Sequence, residues 1–360
     1  MCPRYRCPSS AANGMNRRII QTVRRFGPAG GMEEYAWQLT RALAKASQPV
    51  EVLCEIDDSN GDPDIPVTTL GPSPRRQRWR KHRHFSSKVA QWVAAQPLSS
   101  YCLHSHEMVD HADLCTFHST PHGMGEKSAW WKRLDPTWHA NQWLERRVLN
   151  TARCVIPVSQ LLHQELADRH PFLKATLAPP IPPGIEPALP VDRTSEPVLG
   201  FMGWEWERKG LPLVLEIHRN LPHTQLLIAG PSREHLKGQL RETDRVEVMG
   251  RVDRDTFFRR IRLLIHPARL EAYGMVIPES LARGIPVLTS TTTGAAAEVS
   301  PANGQVLPLD APNADWAAAA ERLLKTETAG PLFKREWSQV ARECLAVYPG
   351  NGKPADGGAS

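Results

Sequence analysis

The sequence predicts an α/β chain built from two doubly wound halves, and three observations carry that prediction. Its 360 residues suffice for two domains of ordinary size. Short apolar runs alternate with amphipathic stretches, the pattern of a parallel sheet covered by helices on both faces. A proline-rich stretch over 179–190, PPIPPGIEPALP, divides the chain near its middle and favours extended backbone over helix. With 41% hydrophobic and 23% charged residues, the composition is that of a globular protein.

In the first half, Arg18–Val23 reads as a strand, and Gly27, Gly30 and Gly31 make a turn. A helix over Met32–Ala46 follows, with Met32, Tyr35, Leu39, Leu43 and Ala46 on one face. The proline-containing segment 63–74 reads as a connection. Val50–Cys54, Tyr101–His104, Leu114–Phe117 and Cys154–Val158 read as further strands. In the second half the strands are Val198–Met202, Gln225–Ala229, Val246–Met249, Leu263–His266, Val287–Ser290 and Gln305–Leu307. Helical patterns fall near 210–219, 232–241, 254–261, 276–283 and 313–325, with a last one at Phe333–Val347.

These elements predict a first domain over 1–185, with 1–16 disordered, and a second over 186–330. The final helix lies in 331–348, and 349–360 forms a Gly/Pro-rich disordered tail. Met15 is an alternative start, because the first strand begins at Arg18. Residues 1–16 lack the apolar core of a secretory signal, and no apolar run reaches the roughly 18 residues of a membrane span. Seven scattered cysteines without CxxC spacing fit free thiols in a reducing cytoplasm. The net charge of +6 is uneven: residues 1–185 hold 23 Lys and Arg against 16 Asp and Glu, and residues 186–360 hold 21 against 22. The first half therefore attracts anions.

The most informative segment runs from His266 to Glu298, HPARLEAYGMVIPESLARGIPVLTSTTTGAAAE. Glu271 follows a strand, Gly274 opens a helix, and Glu279 sits in its first turn. The amides of Met275 and Val276 would face an anion at the helix start. Two carboxylates eight positions apart suit sugar hydroxyls. Alternatively, Glu279 complements the helix dipole and Glu271 is a solvated loop residue. Arg208 and Lys209 are cations at a predicted helix start, where the dipole disfavours them. A basic run of Arg75, Arg76, Arg78, Arg80, Lys81 and Arg83 surrounds Trp79, and Trp130, Trp131, Lys132 and Arg133 form a second basic and aromatic patch. Such runs suit an anionic membrane surface or the phosphates of a glycolipid, or are simply solvated. No RNP, KH or zinc-finger pattern supports nucleic-acid binding. The Asp pairs Asp62/Asp64 and Asp253/Asp255 are poor metal candidates, the first in a turn and the second capping a helix.

The Glu-x7-Glu segment with Gly274 inside it resembles the retaining glycosyltransferases of family 4, which have the GT-B fold. The longer pattern HPA-x2-EA-x-G-x-V-x2-E-x4-G-x-PVLT resembles lipopolysaccharide core glucosyltransferases. Further matches are GGMEEY at 30–35, HSHE at 104–107, TFHST at 116–120, PVS at 157–159, PPGI at 182–185 and RKG at 208–210. The resemblance spans about Arg17 to Glu298 and implies two Rossmann-like domains facing across a cleft, with the C-terminal helix in 331–348 crossing back to the first domain. It implies that Arg208 and Lys209 neutralise the donor diphosphate, that Glu279 binds the ribose, and that Glu271 faces the transferred hexose. Gly30, Gly31 and the Gly274–Val276 backbone would approach the donor, and Arg251 and Val252 would hold the base. His118 would lie near the reacting sugar. His106 and Glu107 would face the acceptor, and the run Arg75–Lys81 the acceptor or membrane.

The resemblance implies hexose transfer, of glucose from UDP-glucose, to a lipopolysaccharide-core glycolipid, by a cytoplasmic enzyme peripheral to the inner membrane. No cofactor or essential metal is implied. Trp204 stands where many family members have an arginine, directly after Gly203, so one diphosphate cation must come from elsewhere. The alternatives are another donor (GDP-mannose, UDP-galactose or UDP-N-acetylglucosamine) with another glycan acceptor, glycoside hydrolysis by Glu271 and Glu279, or a non-catalytic basic adaptor.

Overall fold

The computed structural model describes residues 17–97, 101–121, 134–191, 194–326 and 332–348. The patch Trp130–Arg133 and the segments 1–16 and 349–360 lie outside the described residues. The first half contains β1 (Arg18–Thr22), β2 (Arg25–Phe26), α1 (Gly31–Lys45), β3 (Val50–Cys54), β4 (Ile56–Asp57) and β5 (Val67–Thr69). It continues with α2 (Arg78–Ala94), β6 (Tyr101–Ser105), β7 (Leu114–Phe117), α3 (Pro136–Thr151), β8 (Cys154–Pro157) and α4 (Gln160–Arg169). The second half contains β9 (Val198–Met202), α5 (Leu211–Arg219), β10 (Gln225–Ala229), β11 (Val246–Gly250), α6 (Arg254–Phe258) and β12 (Leu263–His266). It ends with α7 (Val276–Ala282), β13 (Val287–Ser290), β14 (Gly304–Leu307), α8 (Asn313–Lys325) and α9 (Trp337–Val347).

Each half builds a six-stranded parallel sheet. The orders are β5-β3-β1-β6-β7-β8 and β11-β10-β9-β12-β13-β14. In both, the first long strand is central and the chain winds outward from it in both directions. Strand order reverses between β1 and β6, and between β9 and β12. Such reversals open a crevice at the carboxyl ends of the strands. The central strands read as continuous apolar runs because both faces are covered: β12 and β13 are buried throughout.

The halves share apolar packing. One core cluster joins Leu39, Val148 and Val155 of the first half with Phe257, Phe258, Ile277 and Leu281 of the second. Polar contacts also cross. Ser159, which caps α4, donates to the Ala272 carbonyl at 2.7 Å. Arg254 reaches Glu34 at 2.9 Å. The Ile185 amide donates to the Arg335 carbonyl at 2.8 Å. Helix α9 follows the second sheet in the chain yet packs on α1 of the first half. Its Trp337, Val340, Ala341 and Cys344 are buried there.

Several elements differ from the reading of the sequence: it placed no helix at α2, α3 or α4, and the basic run enters α2 from Arg78 onward. The segment 232–241 forms turns rather than a helix, since Gly238 adopts φ +82° and interrupts it. The connection 63–74 contains β5, which pairs with β3. Helix α9 starts at Trp337 rather than Phe333, because the preceding residues are tied to the linker: Arg335 Nε donates to the Pro182 carbonyl. Ala46 is exposed rather than on the buried face, because α1 ends at Lys45 and Ser47 turns away with φ +57°.

If α9 belongs to the core of the first half, Val340→Ala should lower the unfolding free energy by about 1–2 kcal/mol, the scale for deleting two buried methyl groups. Urea denaturation would measure this, and an unchanged midpoint would mean that α9 is not docked.

Candidate active site

The cleft between the halves holds a cavity of about 380 Å³. Its second-half wall comes from the segments after β9 and β12, the two strands at the reversal. Gly203, Glu205, Arg208 and Lys209 come from the first segment, and Glu271 to Met275 from the second, continued by Val276 and Glu279 of α7. Arg254, the first residue of α6, closes that wall. Gly31, Met32 and Tyr35 of α1 face it with His118 after β7.

The floor is a charge cluster. Glu271 Oε2 lies 3.1 Å from Lys209 Nζ and 3.1 Å from Arg208 Nη1. Arg208 also pairs with Glu205 and donates to the Leu270 carbonyl. Burial alone would raise the Glu271 carboxyl, but Lys209, His266 and Arg208 outweigh it and hold it below its ordinary value. Two glycines make room. A Cβ on Gly203 would sit 2.2 Å from Lys209 Cδ, so any larger residue would push that side chain from its place. Gly274 adopts φ +96°, a conformation glycine takes at little cost, and its turn starts α7.

Glu279 is buried, and Arg254 Nη1 lies 2.8 Å from its Oε1. The same guanidinium binds Glu34 of α1, so Arg254 joins two carboxylates across the cleft. Burial pushes the Glu279 carboxyl up to about 7. Arg254, itself half exposed, opposes this only in part, and Glu34 adds to the rise.

A second cavity, of about 330 Å³, opens on the first-half side. Arg24, Glu33, Arg78, His82, His106 and Glu107 contribute to it, and Met32 and His118 line both cavities. His118 thus stands at the seam. Its Nε2 lies 2.9 Å from His106 Nδ1, and burial holds the His118 ring down to about 3, neutral at ordinary pH. Glu107 Oε2 lies 3.1 Å from His82 Nδ1, so this carboxylate already has a partner.

The structure therefore brings Gly31, His118, Arg208, Lys209, Glu271, Gly274, Met275, Val276 and Glu279 to one cavity. Gly30 caps α1 beside it. Arg251 and Val252 do not line it: Arg251 is exposed beyond β11, and Arg254, three residues on, reaches the cavity instead. Of the basic run, Arg78 lines the second cavity and Arg83 a separate pocket against α2 and α3. Arg75, Arg76 and Arg80 are exposed, Lys81 is half-buried, and Arg80 stacks on Trp79. Asp253 caps α6 by accepting from the Thr256 amide, and Asp62 lies 3.8 Å from Arg41. Among the described residues no group of three or more His, Cys, Asp or Glu side chains is placed to hold a metal ion. Arg254 and Glu34 escaped the sequence reading. The available signal was a cation at a helix start, the argument that singled out Arg208.

This fold and cleft define the GT-B class. The chain is similar to the crystal structure of WaaG, a glycosyltransferase involved in lipopolysaccharide biosynthesis, with TM-score 0.73, 17% identity and coverage of 91% of this chain and 95% of that one. It is also similar to Anabaena Alr3699/HepE in complex with UDP and glucose, with TM-score 0.63, 16% identity and coverage of 90% and 94%. At these identities the likeness speaks to the fold. In sequence, residues 29–189 match Glycosyltransferase Family 4 and residues 196–326 match Glycosyl transferases group 1. The chain belongs to the family 4 glycosyltransferases. It is 32% identical over 152 residues to the lipopolysaccharide glucosyltransferase WaaG of Escherichia coli (strain K12), covering 39% of this chain. It is 31% identical over 173 residues to the D-inositol 3-phosphate glycosyltransferase of Mycobacterium bovis (strain BCG / Pasteur 1173P2), covering 44%. These matches span 40% and 35% of the relatives' own lengths.

Glu279 offers a direct check. Native Glu279 retains a proton that the unfolded chain has released between about pH 4.5 and 7. The unfolding free energy of the ligand-free protein should therefore fall as pH rises through that window. Glu279→Gln should flatten this slope in denaturant titrations at several pH values. A slope equal to that of the parent would mean that Glu279 is charged at neutral pH.

Proposed function

We propose that this chain is a retaining glycosyltransferase that moves glucose from UDP-glucose to a phosphorylated glycolipid, the growing lipopolysaccharide core, at the cytoplasmic face of the inner membrane. The observation that carries the reading is the cluster of Arg208, Lys209 and Glu271 on the floor of a cleft whose wall also holds Glu279. A leaving nucleoside diphosphate gains negative charge as the glycosidic bond lengthens, and two adjacent cations stabilise that charge. The diphosphate takes Arg208 and Lys209 from Glu271, which frees that carboxylate to accept from hexose hydroxyls. The amides at the start of α7 add positive potential, and no metal ion is required. Glu279 accepts from the ribose hydroxyls. His118 and Met32 mark where the sugar passes from the donor cavity to the acceptor cavity. Closure of the halves excludes water, which limits donor hydrolysis.

A hexose from UDP-glucose and the lipopolysaccharide core are supported by the sequence likeness to WaaG. The likeness to the inositol phosphate enzyme favours a second reading, in which the same donor site serves a small phosphorylated acceptor. Arg24 and Arg78 of the acceptor cavity suit a phosphate in either case. The exposed Arg75, Arg76 and Arg80 suit an anionic membrane. No helix among the described residues is long and apolar enough to cross one.

Calorimetric titration with UDP, UDP-glucose, UDP-galactose, UDP-N-acetylglucosamine and GDP-mannose tests the donor site, in EDTA and again in magnesium. UDP-glucose should bind equally in both, and Glu279→Ala should weaken it by about 1.5–3 kcal/mol, the scale for hydrogen bonds to a charged group. Binding that requires magnesium, or no binding at all, would overturn the reading. Separately, neutralising Arg75, Arg76 and Arg80 should weaken binding to anionic vesicles by about 1 kcal/mol per cation while UDP affinity is unchanged. Undiminished vesicle binding would remove this run from the membrane contact.

A further inference from the structure

A buried chain of hydrogen bonds runs from the seam of the two cavities to the end of α9. His118 Nε2 lies 2.9 Å from His106 Nδ1, and His106 Nε2 lies 2.8 Å from Gln21 Oε1. Gln21 Nε2 donates to the Tyr348 hydroxyl at 3.3 Å. That hydroxyl lies 2.7 Å from His104 Nδ1, and His104 Nε2 lies 2.7 Å from Thr116 Oγ1. Gln21, His104 and Thr116 are at most 1% exposed, and His106 and Tyr348 at most 4%.

The proton positions follow link by link. The Gln21 carbonyl oxygen only accepts, so His106 Nε2 carries the hydrogen. Burial, with His104 and His118 beside it, keeps the His106 ring neutral, so its Nδ1 holds the lone pair. His118 Nε2 must then be the donor to it. At the far end, Tyr348 accepts from Gln21, and its own proton is available to His104 Nδ1. In that arrangement His104 Nε2 donates to Thr116. Every link points the same way. The one ring nitrogen left without a proton or a partner in the chain is His118 Nδ1, on the residue that lines both cavities.

We propose that Gln21 and Tyr348 are positioning residues which, acting through His106, hold His118 as the Nε2-protonated tautomer, so that its ring offers substrate hydroxyls a lone pair rather than an N–H. This rests on the proposed transferase reading for the identity of those hydroxyls, which belong to the hexose or to the attacking acceptor. The tautomer assignment itself does not depend on it. A neutral imidazole has one donor and one acceptor nitrogen, and the partner on one side dictates what the other offers. Tyr348 comes from the far end of the chain, 327 positions from Gln21, so the relay is complete only when α9 is docked.

The test is long-range proton–nitrogen NMR on the full chain labelled with 15N-histidine. His104, His106 and His118 should each show a protonated Nε2 and an unprotonated Nδ1. Tyr348→Phe and Gln21→Leu should shift His118 toward a mixture of tautomers. With UDP-glucose as probe, both variants should lower kcat for UDP release by roughly ten- to a hundredfold, by analogy with outer-shell partners of metal-bound imidazoles, with KM and UDP affinity little changed. A wild-type spectrum with His118 protonated on Nδ1 would overturn the inference without any variant, as would variants that leave the tautomer and kcat untouched. If the tautomers are as stated but UDP does not bind, the relay stands and the transferase reading fails.

Discussion

The site depends on one constraint: a half-buried carboxylate must be held between two cations at the reversal of the second sheet. Glu271 is largely removed from water, and leaving it uncompensated would cost several kcal/mol. Arg208 and Lys209 supply the compensation, but only because the backbone yields to them. Gly203 leaves the space that Lys209 Cδ occupies, and Gly210, with φ +86°, would drive any Cβ to 2.0 Å from the Pro267 carbonyl oxygen. The loop after β9 and the loop after β12 are thereby pressed together. A ligand with two phosphates is the natural competitor for these cations. In its absence Glu271 keeps them preorganised.

The second consequence is mechanical. Each half presents its carboxyl strand ends to the cleft, and the halves meet through polar contacts as well as apolar ones. Among them are the bond from Ser159 to the Ala272 carbonyl, the bridge of Arg254 between Glu34 and Glu279, and the bonds of Tyr348 at the end of the docked α9. The Arg254 bridge involves the carboxylate proposed for the ribose. Donor entry and the relation between the halves therefore act on the same side chain. The shared apolar cluster behind these contacts supplies most of the adhesion.

Much of the fold was legible in the sequence because apolar runs in a two-sided parallel sheet are long and unbroken, as in Leu263–His266 and Val287–Ser290. The candidate site was legible where a residue type is locally out of place: a cation at a helix start at Arg208, and a glycine between two glutamates at Gly274. Long-range pairing carries no such local mark. Nothing near Gln21 or Tyr348 announces that they meet. Glu34 reads as an ordinary first-turn acid of α1, and only tertiary packing sets it against Arg254. Gly238 shows the converse, a helical pattern over 232–241 overruled by one residue at positive φ.

Hydrogen–deuterium exchange with and without saturating UDP tests the central claim most directly. The account predicts slowed exchange in the segments 203–210 and 271–279, with the outer face of α2 unchanged. Protection confined to α2 and the basic residues before it, with the second-half segments unaffected, would contradict it.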